Sequence, residues 1–446
     1  MPRMAAVASY AYAGESALTP GGLCLQTSGG AGAFPRFFTG FMTAPQPVAA
    51  GLLAVAEVAR TRYFQPIDRR SLDPVVTGSR QMLRFESFSG CCGVYARMDV
   101  LPAGLDGQAP EHGTTNVDVN PPLQLALARV RGMDPLHLSV GPEVLEVSTM
   151  DGAILERKVP LPSRWLRGFA EVHVIAAGMQ QRARVDAAQA ATFLRGLPAD
   201  RSVLWVLPAG RGLRLTSRPV PGSVCLAGPG RLAALRGMLR HATSLTLYGP
   251  ETRPGSGPLA SVWVLDSPTT RLALTLSPEP YGGFSGEGAV LTDLTSNADE
   301  ISDDADLVSA MLAWDPTIDI DALAAASGMP HPRFSRALTM LGTAGRVGFD
   351  LVEGAYFHRV MPFGTDAAAR LNPRLAAARR LVAASAVTLV PGAAEVRSGE
   401  AKYLVRLEDG APVGCTCLWW GRYRGERGPC KHQLAAAITA GALVDA

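Results

Sequence analysis

A chain of 446 residues, 47% hydrophobic and 18% charged, is long enough for two or three domains with sizeable cores, and this composition excludes a disordered protein. Its formal net charge of +3 is too small for a protein that coats nucleic acid or a membrane surface by charge alone. The longest apolar run, around Val48 to Ala59, is broken by Glu57 and too short to span a bilayer, and MPRMAAVASYAYAGESALTP lacks the basic start and firm apolar core of a signal peptide. Cys24, Cys91, Cys92 and Cys225 are scattered, which fits a reducing cytoplasm. The adjacent Cys91 and Cys92 read as small core fillers near a turn, with a redox pair as the alternative.

Residues 1–80 open glycine-rich and continue into a helix over about Pro47 to Arg62. Gly29-Gly30-Ala31-Gly32 is followed by Phe34-Pro35-Arg36-Phe37 and by no Lys-Ser/Thr, so it is not a phosphate loop. From Met82 the period becomes two. Leu83 and Phe85, then Val94, Ala96, Met98 and Val100, predict a hairpin turning at Ser89–Gly93. Asn116, Asp118 and Asn120 would share one strand face, either as a polar binding ledge or, the preferred reading, as a solvated edge. A short helix over Leu123–Arg131 precedes strands joined at Asp151-Gly152, a pair suited to a type I′ turn. A helix over Ser163–Phe169, a strand over Glu171–Ala177 and a helix over Ala187–Arg195 follow. Val203–Leu207 and Leu213–Thr216 pair as strands. Leu232, Leu235 and Leu239 stripe a helix over Gly230–His241, and Leu245–Tyr248, Ser261–Leu265 and Arg271–Leu276 are strands. Hairpins separated by single helices predict an α+β arrangement with antiparallel pairing, and their recurrence hints at a clamp-like internal duplication. His112, His137, His173 and His241 have no ligand spacing, and the chain carries no HExxH, G-x-S-x-G, Walker or paired-carboxylate signature. A non-enzyme is expected; an unrecognised active site within residues 1–290 is the alternative.

Residues 291–301 form an acidic linker. Beyond it, helices are expected over Ala305–Trp314, up to Ser327-Gly328, and over Arg333–Thr343 behind Pro332. A hairpin from Gly345 to Val360 turns at Glu353-Gly354. Helix, helix, helix, then hairpin over 302–363 resembles a winged-helix domain. That resemblance implies a third helix able to enter the DNA major groove, exposing Arg333, Ser335, Arg336 and Thr339, with Arg346 and Arg359 on the wing. The same architecture also docks proteins. Residues 364–394 hold a connecting helix capped by Asn372-Pro373.

Residues 395–446 contain CTCLWWGRYRGERGPCKH, from Cys415 to His432. Cys415 and Cys417 stand one residue apart, as do Cys430 and His432. An i,i+2 spacing on extended backbone points both side chains the same way, so each pair can grip one ion. Three thiolates and an imidazole are a tetrahedral zinc set, and four protein ligands leave no position for water or substrate. One structural zinc is therefore expected. C-x-C, an insert and C-x-H, behind a hairpin and ahead of an Ala/Leu helix, resemble the SWIM zinc finger. That family implies binding to nucleic acid or to protein. Within the insert, Trp419, Trp420 and Tyr423 alternate with Arg422, Arg424 and Arg427. Such a set can stack on bases and neutralise phosphates, or form an interface hot spot. Alternatively, the tryptophans cover the zinc core and the arginines are merely solvated. The whole chain is similar to actinobacterial-type SWIM-bearing proteins, a resemblance that implies a partner complex with a MoxR-type ATPase and a von Willebrand A-domain protein. An adaptor subunit of such an assembly is thus an alternative function.

Overall fold

The computed structural model describes residues 17–19, 22–24, 36–63, 74–79, 81–107, 109–117, 119–157, 163–291, 298–312, 319–359, 361 and 372–444. Gly29–Gly32, Asp118 and Trp314, all singled out in the sequence, lie outside these residues. After a small hairpin of β1 (Ala17–Thr19) and β2 (Gly22–Cys24), the chain passes through β3 (Phe38–Met42), α1 (Pro45–Arg60), β4 (Val75–Ser79), β5 (Met82–Phe88), β6 (Val94–Val100), β7 (Leu105–Gly107) and β8 (Gly113–Asn116). It continues through α2 (Pro121–Arg129), β9 (His137–Val140), β10 (Val144–Thr149) and β11 (Gly152–Arg157). Then α3 (Ser163–Ala177) leads to β12 (Gln180–Asp186), α4 (Ala187–Arg195), β13 (Val203–Ala209), β14 (Gly212–Thr216) and β15 (Val224–Ala227). A 3-10 helix (Pro229–Met238), β16 (Ser244–Gly249), β17 (Ser261–Asp266) and β18 (Thr270–Leu276) complete the region.

These two series repeat one connectivity. In each, the opening strand pairs antiparallel with the strand after the second helix, β3 with β9 and β12 with β16. That strand then begins an antiparallel meander, β9-β10-β11 in one and β16-β17-β18 in the other. The last strand of the second series, β18, pairs with β6 of the first, which joins them into an eight-stranded sheet. Alternation along these strands sends Leu83, Phe85, Val94, Met98, Trp263, Leu272 and Leu274 to one face. There they pack with Val48, Leu52 and Val55 of α1, Phe193 of α4, and Leu232 and Leu235 of the 3-10 helix.

Local readings change in three places. The expected break between Phe169 and Glu171 is a single helix, α3, because buried Leu166, Phe169, Val172 and Ala176 recur at helical spacing, which outweighs the strand preference of Val172, Val174 and Ile175. The helix expected over Gly230–His241 is a 3-10 run, with Gly230 and Gly237 weakening its α-helical propensity. Asn116 is fully buried instead of solvated, and Asn120 caps α2 by accepting from the Leu123 amide.

The remaining elements are α5 (Ala298–Met311), α6 (Ile320–Ser327), α7 (His331–Thr343), β19 (Val347–Asp350), β20 (Ala355–His358) and α8 (Pro373–Ala383). A four-stranded sheet follows, with β21 (Val387–Val390), β22 (Ala393–Ser398), β23 (Ala401–Glu408) and β24 (Ala411–Cys415) in that order, then α9 (Leu418–Tyr423) and α10 (Lys431–Val444). Residues 298–301, read as linker, are the first turn of α5. One apolar cluster joins Val290 and Leu291 to Val308 of α5, Phe334, Leu338 and Leu341 of α7, Leu375 of α8, and Leu434 and Ala435 of α10. No helix among the described residues is long and apolar enough to cross a membrane.

The wing, β19–β20, lies on the second face of the eight-stranded sheet. Strand alternation places Arg84, Glu86, Tyr95, Arg97, Asp99 and Arg271 on that face, all but buried. Arg84 and Arg271 are each in register with Asp99. The wing adds Asp350, whose carboxylate receives Arg84 at 2.8 Å and Arg97 at 2.9 Å, and Glu353, which receives Arg271 at 3.0 Å. Arg359 pairs with Glu86, which also accepts from the Tyr95 hydroxyl. The Arg84 guanidinium lies 3.8 Å from the centre of the Phe357 ring. The Phe349 amide donates to His173 Nδ1 at 3.1 Å, so that nitrogen is unprotonated. Burial and then Arg359 hold His173 well below the usual histidine range.

Candidate metal centre

The four candidate ligands converge because three local features aim them. Asp409 and Gly410, both at positive φ, make the tight turn that folds β24 back along β23, and β24 ends on Cys415. Cys417 is the N-cap of α9. Cys430 is the N-cap of α10 in a thiol version of the capping box. Its amide donates to Gln433 Oε1 at 3.2 Å, while the Gln433 amide approaches Cys430 Sγ at 3.4 Å. His432 sits in the first turn of the same helix, where Tyr403 of β23 stacks on its ring at 4.1 Å.

The three sulfurs and a ring nitrogen lie within 4.8 Å of one another, and all four residues are buried. His432 Nδ1 is 3.8 Å from Cys415 Sγ and 4.0 Å from Cys430 Sγ, which makes Nδ1 the ligating nitrogen. A tetrahedral zinc with bonds of about 2.3 Å to sulfur and about 2.0 Å to nitrogen needs donor spacings of about 3.5–3.8 Å, so the pocket fits that ion. Without a cation Cys417 and Cys430 resist ionisation. The neighbouring Cys415 thiol and burial push Cys430 up to about 12, and burial raises Cys417. A bound divalent ion reverses that balance. Cys415, Cys417, Cys430 and His432 would hold one zinc with its shell closed, supplying shape and rigidity.

Residues 403–441 match the SWIM zinc finger, and residues 292–348 match the DprA winged helix domain. The chain carries a SWIM zinc finger. It binds one structural zinc, behind a winged helix. Among solved structures, proliferating cellular nuclear antigen from Entamoeba histolytica aligns at 10% identity and TM-score 0.35, covering 55% of this chain and 100% of that one. The PCNA2-PCNA3 complex from Sulfolobus tokodaii aligns at 9% and 0.38, with the same coverages. A comparison with curated proteins finds no match.

The insert between the SWIM ligand pairs divides into an inward and an outward set. Trp419 donates from Nε1 to Gly428 O at 3.2 Å, and its ring centre lies 4.5 Å from the Arg374 guanidinium and 4.6 Å from the Tyr423 ring. Arg427 is turned inward onto Glu287, Nη2 to Oε1 at 2.7 Å. Trp420 is half-buried against the zinc cluster. Arg422 and Arg424 are exposed, and Leu418 beside them is 93% exposed. Among the described residues neither arginine pairs with a carboxylate.

On the winged helix, Arg333 forks onto Asp304 of α5 at 2.5 and 2.7 Å, and Arg336 is half-buried. Thr339 is buried at 8% exposure and Arg359 at 1%, so neither lies on an outer face as the winged-helix resemblance implied. The cause is docking. The C-terminal half of α7 is buried, and the wing is covered by the sheet. Arg374 stood out in the sequence only as one of the arginines on the connecting helix, and Glu287 and Gly288 were not singled out. The glycine-rich run Gly282-Gly283-Phe284-Ser285-Gly286-Glu287-Gly288 was their signal, since closely spaced glycines mark close backbone approach.

Proposed function

We propose that this chain is a non-catalytic docking protein whose zinc module presents the outward insert residues Leu418, Trp420, Arg422 and Arg424 to a protein partner. The observation that carries this reading is the exposed Leu418 on a helix anchored by a metal ligand, with Arg422 on the same helix and Arg424 at its C-cap, neither in an ion pair among the described residues. An apolar side chain ringed by Arg and Trp on a rigid base is the composition of an interface hot spot. Firm duplex DNA binding draws on about six to ten phosphate contacts. Three of the four basic groups that a DNA-reading winged helix would use are engaged elsewhere. Arg333 is on Asp304, Arg346 is bonded to Ser309 at 3.1 Å, and Arg359 is on Glu86.

Nucleic acid is the second reading. It is favoured by the SWIM match itself and by Trp420 beside Arg422 and Arg424, a set able to stack on single-stranded bases. The resemblance to SWIM-bearing bacterial proteins makes a MoxR-type ATPase and a von Willebrand A-domain protein the first partners to try, and a cytoplasmic setting suits both; no feature of the fold selects either.

Co-purification from native cells with the wild-type chain and with the Arg422→Glu/Arg424→Glu variant tests the docking reading. A partner retained by the first and lost by the second supports it. Filter binding of labelled single- and double-stranded DNA at two salt concentrations tests the other. Salt-sensitive retention that disappears in the double variant would replace protein docking with nucleic-acid binding.

A further inference from the structure

A second joint, separate from the wing, connects the zinc loop to residues 279–291. Arg374 of α8 donates to four carbonyls on two segments. Its Nη1 reaches Arg427 O at 2.9 Å and Pro429 O at 3.0 Å, and its Nη2 reaches Gly286 O at 3.1 Å and Glu287 O. Pro429 directly precedes the ligand Cys430. Glu287, only 4% exposed, holds the Arg427 guanidinium. Between these contacts the backbones of Gly428 and Gly288 meet so closely that a methyl on Gly428, at φ +74°, would collide with the Gly288 carbonyl. Trp419, two residues past Cys417, closes the arrangement by stacking under Arg374 and bonding to Gly428 O.

Metal affinity includes the cost of ordering the loops that carry the ligands, so contacts that hold those loops in the ligating shape raise it. We propose that Arg374, Glu287 and the Gly288–Gly428 contact are positioning elements for the zinc, by which the N-terminal region sets how tightly the SWIM module keeps its ion. Coupling of this kind is reciprocal. Zinc in turn orders residues 282–291, which lie far from the ligands in sequence.

The test uses the full-length zinc-loaded chain and follows transfer of zinc to a chromophoric chelator. Gly288→Ala would push a methyl into the Arg374 guanidinium, and Arg374→Met removes all four carbonyl contacts. Both are expected to release zinc about 10–100-fold faster, the range typical of lost outer-shell partners. Arg379→Met, an exposed change on the same helix, should release at the wild-type rate. Hydrogen exchange on the wild-type chain provides a second reading that needs no variant. Stripping zinc should deprotect residues 282–291 together with 415–432. Release rates within twofold of wild type in folded variants, or exchange changes confined to 415–432, would overturn the proposal.

Discussion

The wing and the zinc insert are built from the same residue types and meet different fates. Both carry arginines beside aromatic rings. On the wing, Arg359 faces a sheet whose own strands bring Arg84, Glu86, Arg97 and Asp99 to the contact, and the result is a buried charge network, while Arg346 turns to Ser309. In the insert, among the described residues, only the side facing residues 279–291 meets carboxylates, Glu287 and Glu279, so Arg427 is captured while Arg422 and Arg424 stay in solvent. What a basic residue does here is decided by what lies opposite, and its own strand or helix is silent about that.

The largest expected effect lies at the metal. Cys415→Ser removes one of four ligands, and zinc content of the purified protein should fall from about one per chain to near zero. The strands of the four-stranded sheet and α9 should lose their exchange protection, because the small zinc cluster of Val396, Val405, Cys415, Cys417 and Cys430 is held largely by the metal, while α10 keeps its packing through Leu434 and Ala435. Retention of zinc at full occupancy would break the assignment.

The next largest lies in the wing. Asp350→Ala leaves Arg84, Arg97 and Arg271 converging on an empty position. Breaking a buried ion network by deleting one partner costs about 3–5 kcal/mol. Urea denaturation should show a correspondingly lower midpoint. The Arg422→Ala/Arg424→Ala pair should shift stability by no more than about 0.5 kcal/mol, as surface changes do. Equal costs for the two would erase the contrast between the regions.

Much of this was legible in the sequence. Cys415, Cys417, Cys430 and His432 announce themselves because ligand spacing is local and few other functions need it. The strands around Val94–Val100 and the cap at Asn372 were readable for the same reason: periodicity and turn chemistry act over a few residues. The joining of α3 was misread because Val172, Val174 and Ile175 suit a strand, and only burial of the Leu166–Phe169–Ala176 stripe settles it. Arg359 and Thr339 were placed outside because nothing within the winged helix says that the wing rests on a sheet some 270 residues upstream, the separation of Glu86 and Arg359 being 273. Likewise the two-sided role of Arg374 exists only once residues 286–287 and 427–429 are brought together.

A smaller, pH-dependent effect sharpens the same contrast. Burial disfavours the Asp350 carboxylate, yet Arg97, Arg84 and Arg271 together hold it well below the usual carboxylate range. An unfolded aspartate titrates near ~3.9. Because the folded value is the lower one, the stabilisation is complete above that pH and is lost as pH falls towards the folded value. The stability gap between wild type and Asp350→Asn should therefore stay constant from about pH 7 to about pH 5 and narrow below about pH 4, since a protonated aspartate resembles asparagine. Urea midpoints at three pH values measure it. The Arg422→Ala/Arg424→Ala variant, with no carboxylate opposite, should track wild type at all three. A gap for Asp350→Asn that persists undiminished at the lowest pH would mean that the wing is held by its apolar contacts, Phe357 and Val352 among them, and that the ion network only fills the space between.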